Sequence, residues 1–335
     1  MKKTSAILCL LISISLFVKA QDPHFSQFFS SPLTLNPALT GKFDGTVRVS
    51  GNYRNQWPAF NNVYTTSTLS VDFDILKTKL PDYDTWGVGI LALKDQAGGN
   101  ILTNTYLGLS TSYHKSLDED GFQQIGIGFQ GTYGQKRLNS SKLVFEDQLT
   151  PFGFTGVTSD VFNTDNLNIN YLDLNAGLIY TASTNDQNNF YIGASMYHIN
   201  RPKESFKGGN WNISPRTTLN AGGYFPVSNE LTLHTSGIYQ IQNNATETVV
   251  GGALAAALDA ESENPSNVYG GLWYRFNDAI IPYVGLEFGG FRIGATYDVN
   301  VSSLKAGSQS RGGMEISVIY IKRPAGFKGI PCPKF

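Results

Sequence analysis

From residue 44 to residue 322 the side chains alternate between apolar and small or polar in segments of about ten residues. A period of two is the signature of a β-strand with two different faces. Asn104 to Lys115 is the clearest case: Thr105, Leu107, Leu109, Thr111 and Tyr113 share one face, while Tyr106, Gly108, Ser110, Ser112 and His114 share the other. Phe122 to Tyr133, Tyr171 to Thr181 and Phe291 to Val299 repeat the pattern. The alternation predicts fourteen strands, at 44–53, 63–74, 85–94, 104–115, 122–133, 169–181, 189–199, 213–225, 230–241, 246–258, 268–276, 279–288, 290–299 and 313–322. Beyond the extreme N-terminus no apolar run reaches 18 residues, the length a membrane-spanning helix needs.

The connectors narrow the choice of fold. Those after the even-numbered predicted strands are mostly compact, such as 116–120, 226–229 and the pair Gly289-Gly290, whereas 134–168, 200–212 and 300–312 fall on the opposite side. Short turns on one side and long loops on the other, with an even strand count, are the asymmetry of an outer-membrane barrel. Closure has a physical cause. In lipid every backbone N–H and C=O must be paired within the protein, so a sheet can span only without free edges. The expected fold is therefore all-β: an antiparallel transmembrane, outer-membrane β-barrel of about 14 strands. Leu, Ile, Val and Phe would meet lipid, and the small and polar face would line a wet lumen. Tyr113, Tyr133, Tyr180, Phe225 and Tyr274, near strand ends, suit interfacial girdles.

Composition agrees. Charged residues make up 15% of the 335 positions and glycine 35 of them, with 13% aromatics; ordinary domains carry about 25% charge and about 7% glycine. A formal net charge of −1 argues against nucleic acid as a partner, since such proteins show a basic excess. Met1-Lys2-Lys3 followed by the apolar run Ala6–Val18 reads as a signal peptide, residues 1–20, with cleavage after Val18-Lys19-Ala20. Removal takes three lysines and no acid, so the exported chain carries 22 basic against 26 acidic residues, a charge of −4. It also takes Cys9, leaving Cys332 alone and no internal disulfide to form.

Strings that suggest chemistry dissolve on inspection. Gly126-Ile-Gly128-Phe-Gln-Gly131 fits the dinucleotide-binding pattern, but that motif works only as a turn between a strand and a helix. Here the glycines read as small lumen-facing positions of a strand. His24, His114, His198 and His234 share no metal-ligand spacing, and read as ordinary strand or tail residues. Asp118-Glu119-Asp120 reads as a solvated turn. No nucleophile, base and orienting acid can be named, so no catalytic, cofactor-binding or metal residue, no cofactor and no enzymatic activity are expected.

Two segments stand outside the strand pattern. Residues 21–43 join aromatics and prolines to polar groups, and should either plug the lumen or pack beneath the barrel on the periplasmic side. Residues 323–335 form a basic, proline-broken periplasmic tail after the barrel, residues 44–322. Within these segments and beside them lie short strings that carry a resemblance. Gln21-Asp22-x-x-Phe25-Ser26-Gln27, then Asn36-Pro37-Ala38-x-x-Gly41, then Tyr53-Arg54-Asn55-Gln56-Trp57-Pro58, then Gly312-Gly313-Met-Glu315-Ile-Ser317, and finally Cys332-Pro333-Lys334-Phe335 stand in order along the chain. In this the sequence resembles the PorP/SprF family of type IX secretion system membrane proteins. Lys334 stands where the family commonly has Arg.

The resemblance implies an integral barrel of the cell outer membrane that supports secretion or surface attachment of a large adhesin of the gliding-motility type. Its implied partners are outer-membrane lipid, a secreted surface adhesin and other type IX secretion components. The candidate partner or structural residues are those of the motifs: Gln21, Asp22, Phe25 and Gln27; Asn36, Pro37, Ala38 and Gly41; Tyr53, Arg54, Gln56 and Trp57; and Cys332, Pro333 and Phe335. Arg54 and Trp57 could equally just anchor the first outer loop. Two other readings of the residues stay open: a transport barrel for small solutes, and a secreted soluble β-protein.

Overall fold

The computed structural model describes residues 22–60, 64–77, 79–159, 167–185, 188–206, 209–259, 266–303 and 305–323. The signal segment, Gln21 and the tail with Cys332, Pro333 and Phe335 lie outside the described residues. The strands in chain order are β1 (Val47–Gln56), β2 (Tyr64–Ile75), β3 (Thr85–Ala97), β4 (Leu102–Ser116), β5 (Gln123–Leu138), β6 (Leu149–Thr150), β7 (Gly153–Phe154) and β8 (Asn168–Ala182). They continue with β9 (Asn189–Tyr197), β10 (Arg216–Pro226), β11 (Leu231–Gln242), β12 (Ala245–Ala257), β13 (Asn267–Arg275), β14 (Ala279–Phe288), β15 (Phe291–Asn300) and β16 (Arg311–Lys322). Fourteen of them close into one antiparallel barrel, and β6 and β7 form a small separate hairpin inside the loop between β5 and β8.

Neighbours in sequence are neighbours in the wall, and the seam is β1 on β16, from Val47 opposite Lys322 to Gln56 opposite Gly313. Each barrel strand begins within three residues of the place the alternation gives it. Some run longer than expected: β5 continues through Gly134-Gln-Lys-Arg137 to Leu138. Those residues still pair with β8, but they no longer carry the apolar face that marks the strand in the sequence. The Gly312 to Ser317 string lies inside β16.

The two faces part as period two requires. Leu109 and Leu172, 70% and 69% exposed, point outward with Ile90, Leu107 and Phe129, a continuous apolar surface that lipid would cover. All eight acidic residues within the barrel strands, such as Asp72, Asp173, Asp298 and Glu315, lie on the lumen face. One glycine departs from expectation: Gly126 and Gly128 face the lumen, but Gly131 shares the outward register of Ile127 and Phe129 and a Cβ there would meet nothing.

Connectors 139–167, 198–215 and 301–310 make one rim the long-loop end. That rim also holds the tight turns 98–101, 243–244 and 276–278, so three loops carry the asymmetry. At the opposite, short-turn end, Gly289 and Gly290 adopt φ of +54° and +85°, which a two-residue hairpin with the native strand twist demands and glycine supplies without strain. Among the described residues no helix is long and apolar enough to cross a membrane; the barrel crosses with strands.

Candidate functional site

The lumen is filled by the chain's own N-terminal segment. It starts beside Arg216, Gln242 and His198 at the long-loop end, and descends through the barrel to enter β1 at the short-turn end. Pro32 and Pro37 keep it from forming a long helix, because proline lacks an N–H and clashes with the preceding turn. It folds instead as single turns at Phe28–Ser30, Pro32–Leu35 and Pro37–Leu39. Asn36 caps the last of these, its Oδ1 accepting from the Ala38 N–H at 2.9 Å.

At the long-loop end Asp22 is clamped. His198 donates to it from Nε2 at 2.7 Å, and its Nδ1 faces Asp173 at 3.0 Å. Gln242 donates to Asp22 at 3.1 Å and the Arg216 guanidinium lies 3.5 Å away. Burial opposes the charged imidazole, but the Asp22 and Asp173 carboxylates outweigh it and raise the His198 pKa to about 9. Burial likewise opposes ionised Asp22, and His198 and Arg216 outweigh that, holding its carboxyl well below the usual range.

One turn deeper, Ser26 and Gln27 meet the densest polar cluster. The Ser26 and Gln27 N–H groups both donate to the Glu315 carboxylate, at 2.8 and 3.0 Å. Arg54 and Arg275 donate to Ser26 Oγ at 2.8 and 2.6 Å, and that hydroxyl donates to Asp298 at 2.7 Å. The same two guanidiniums pair with Asp298 at 3.1 and 2.9 Å, and Arg275 reaches Glu247 at 3.1 Å. His24 stands 3.4 Å from Glu247; burial first, and then the Arg54 and Arg275 charges, lower its pKa to about 4, so it is neutral at pH 7. The fully buried Gln27 side chain donates to Thr296 and to the Glu315 carbonyl, and accepts from Ser317 at 2.7 Å. Charges buried this deeply are tolerable only when paired and hydrogen-bonded, and here the wall and the plug supply each other's partners.

The middle of the segment packs by shape. Phe29 lies 4.8 Å from Trp273 and 5.6 Å, edge-on, from Tyr283. Phe25, Phe28, Leu33, Leu35 and Leu39 are buried with it, each contributing roughly 1.5–3 kcal/mol by area. Asn36 reaches the wall on the other side, donating to the Leu178 carbonyl at 3.0 Å and to Asn220 at 3.3 Å. The approach is close enough to require glycine: a Cβ on Gly177 would overlap Asn36 Oδ1, and one on Gly128 would overlap the Pro37–Ala38 peptide.

At the short-turn end Gly41, with φ +69°, turns its N–H to Asp72 at 2.8 Å. Asp72 takes both arms of Arg48, at 3.0 and 2.7 Å, and Arg48 also donates to the Leu39 carbonyl. His114 donates to the Ala38 carbonyl at 2.7 Å, Thr40 bonds Ser110, and Lys42 donates to Gln124. Each barrel strand touches the segment at some point, β3 through the backbone approach of Gly87 to Gly41 and β14 through Tyr283.

Of the residues singled out by sequence, Asp22, Phe25, Gln27, Asn36, Pro37, Ala38, Gly41 and Arg54 come together in this lumen site. Tyr53 instead faces outward, 42% exposed, because it is one residue out of phase with Arg54. Gln56 and Trp57 sit at the rim, where the Trp57 N–H donates to the Gly312 carbonyl at 2.7 Å and its ring packs edge-on against Tyr64; they fix the first loop. The histidines are not the ordinary residues their spacing suggested: three of the four bond the plug or lie on it, and His234 stacks on Tyr224. Sequence reading quoted Ser26 in a motif without naming it as a site residue, and passed over Asp173, Arg216, Glu247, Arg275 and Asp298. Their signal was present, since each charged member stands among mostly uncharged side chains on its strand face.

Fold and site define an outer-membrane β-barrel filled by its own N-terminal segment. The chain belongs to the PorP/SprF family of type IX secretion system membrane proteins, whose family model matches residues 17–320. No individual curated protein matches it in sequence. Among solved structures it is similar to the Pseudomonas putida toluene transporter TodX, at 9% identity and a TM-score of 0.48 over 89% of this chain and 93% of that one. It is also similar to a Pseudomonas aeruginosa FadL homologue, at 9% identity and 0.45 over 85% and 92%, and to the KdgM porin, at 10% and 0.39 over 82% and 98%. At such values the likeness carries nothing about what this barrel binds.

Proposed function

We propose that this barrel is a non-enzymatic outer-membrane component of the type IX secretion system that holds or passes a large secreted adhesin of the gliding-motility type. In this reading the long-loop end faces the cell exterior, and the short-turn end and the tail face the periplasm. Family membership supports the secretion role. The observation that carries the rest is the lumen, packed from rim to rim by a segment whose Asp22 pairs with His198 and Arg216 and whose backbone and Ser26 hydroxyl hydrogen-bond to the buried charges of the wall. A barrel whose bore is so occupied suits protein docking at its ends better than free diffusion of solutes. Small-solute transport would need the whole segment displaced, against the bonds of Arg48, Arg54, Arg275 and Asn36.

The test is a deletion strain. Loss of this protein should release into the medium, or abolish, one large surface protein, and that protein should co-purify with the tagged barrel. An unchanged surface and medium would sink the secretion role. Membrane fractionation with a heat-dependent gel shift separates the barrel from a soluble protein. Truncating Ile330 to Phe335 should impair the partner's fate more than barrel insertion; loss of the barrel from the membrane would instead assign the tail to assembly.

A further inference from the structure

We infer that the outer wall carries a binding site for the phosphorylated sugar headgroup of an outer-leaflet glycolipid, formed by Lys94 of β3, Arg137 of β5 and Lys142 of the following loop. The lipid-facing wall of β2 to β8 can be read row by row from its register. Trp86 stands opposite Tyr113 near the short-turn end, the two rings 6.4 Å apart and edge-on. Above them lie Val88 opposite Thr111, Ile90 opposite Leu109, and Ala92 opposite Leu107, which itself faces Tyr133. The next row breaks the pattern: Lys94 stands opposite Thr105, and Thr105 opposite Gln135. One row further, Thr103 faces Arg137.

The height of this change is that of a membrane boundary. Trp86 and Lys94 are eight residues apart on β3, about 26 Å along a strand. At a tilt of about 40° that is roughly 20 Å of vertical rise, close to the ~25 Å apolar band of a transmembrane barrel with its aromatic girdle. Lys94 and Arg137 therefore lie at the headgroup level on the long-loop side.

The cluster is also unneutralised. Lys94, Arg137 and Lys142 are exposed, and among the described residues none of them has an acidic partner. Lys142 donates only to the Gly99 carbonyl, at 2.8 Å. The eight strand acids all face the lumen, and Asp147 in the adjoining loop is occupied by Thr158 and Ser159. Lys115, the outward lysine at the other end of β4, is by contrast paired with Asp84 at 3.1 Å.

Between the cations lie hydroxyl and amide groups, from Thr103, Thr105, Asn100, Gln135 and Asn139, around a cleft of about 390 Å³. Lys94 and Arg137 are two strands and one row apart, about 12 Å. Cations at that spacing with hydrogen-bonding groups between them suit a sugar bearing phosphates, whose acyl chains would lie on Leu107, Leu109 and Tyr133. Basic clusters at headgroup level recognise anionic lipids in this way. The site rests on the reading that places the long-loop end outside, where that leaflet is.

The experiment uses the whole protein in phosphatidylcholine nanodiscs containing bis-phosphorylated lipid A, or lipid A stripped of phosphate, with bound lipid counted by native mass spectrometry. The wild type should retain the phosphorylated form preferentially. The variant with Lys94→Gln, Arg137→Gln and Lys142→Gln should bind it roughly a hundredfold more weakly, while Lys322→Gln at the opposite rim should not change binding. Retention of the heat-dependent gel shift shows the triple variant to be folded, and each single substitution should give an intermediate loss. Equal binding by wild type and triple variant, or no preference for phosphate, overturns the inference. So does a triple variant that keeps the lipid and loses only a protein partner. Orientation is tested separately by external thiol labelling of Asn100→Cys in a Cys332→Ser background on intact cells. Labelling without lipid preference defeats the site alone; absence of labelling defeats the orientation.

Discussion

Replacing Arg54 with Met should free the N-terminal segment from the wall while leaving the barrel intact. Arg54 is 2% exposed and one of two guanidiniums set among the carboxylates of Glu247, Asp298 and Glu315. Its removal deletes the bond to Ser26 at 2.8 Å and the pair with Asp298 at 3.1 Å, and leaves Arg275 alone against three acids. Arg54 and Asp298 both belong to the wall, so what docking loses is the charged hydrogen bond to Ser26, worth about 1.5–3 kcal/mol. At about 1.4 kcal/mol per tenfold, the undocked population should rise roughly tenfold to a hundredfold. Hydrogen exchange at the Ser26 and Gln27 amides reads this directly, because both donate to Glu315 and exchange only when the segment leaves. Their rates should rise by that factor while amides of β4 and β5 stay protected. Adding Glu315→Gln should give a combined loss smaller than the sum of the two single losses, as expected for groups in one network. Unchanged exchange at Ser26 and Gln27, or equal acceleration throughout the wall, would refute a plug held locally by this cluster.

Other outcomes follow from the same site. Gly177→Ala should push Asn36 off the wall and make the N-terminal segment cleavable by added protease, with the heat-dependent gel shift retained; a protected segment would contradict the close packing. The His198 imidazole should titrate near pH 9 rather than at the ordinary 6.5, and fall toward the ordinary value in Asp22→Asn, as read by NMR. Because that pKa is raised on docking, the stabilisation is complete below about 6.5 and is lost as pH rises through about 9. The Asp22 pKa is depressed instead, so its share is present above about 3.8 and lost as pH falls below it. The rim end of the segment should therefore loosen in alkali, and His198→Gln should abolish that dependence. Phe29→Ala, which empties the space between Trp273 and Tyr283, should destabilise docking by about 3–5 kcal/mol, measured by the same exchange.

The barrel was legible because lipid imposes a rule on every strand. A wall with one face in hydrocarbon must repeat with period two, and Leu107-Gly108-Leu109-Ser110 states that rule locally. The N-terminal segment was legible as something other than strand, since Pro32 and Pro37 forbid a ladder. Its partners were not. Ser26 and Asp298 are 272 residues apart, and no local pattern links them; only closure of β1 on β16 brings β15 and β16 to the segment that precedes β1. The charges on lumen faces were the available hint, because Arg275 beside Tyr269 and Trp273, or Glu247 beside Val249 and Ala253, would be costly without a partner. The histidines misled for the same reason: His114 and His198 bond backbone and carboxylate groups far along the chain, which spacing cannot reveal.

Planar-bilayer conductance of the purified protein, compared with a variant lacking residues 22–43, tests the filled lumen most directly. The intact barrel should be silent, and the variant should conduct steadily through the vacated bore. Steady porin-like conductance by the intact protein, or the same silence from both, would contradict a lumen closed by its own N-terminal segment.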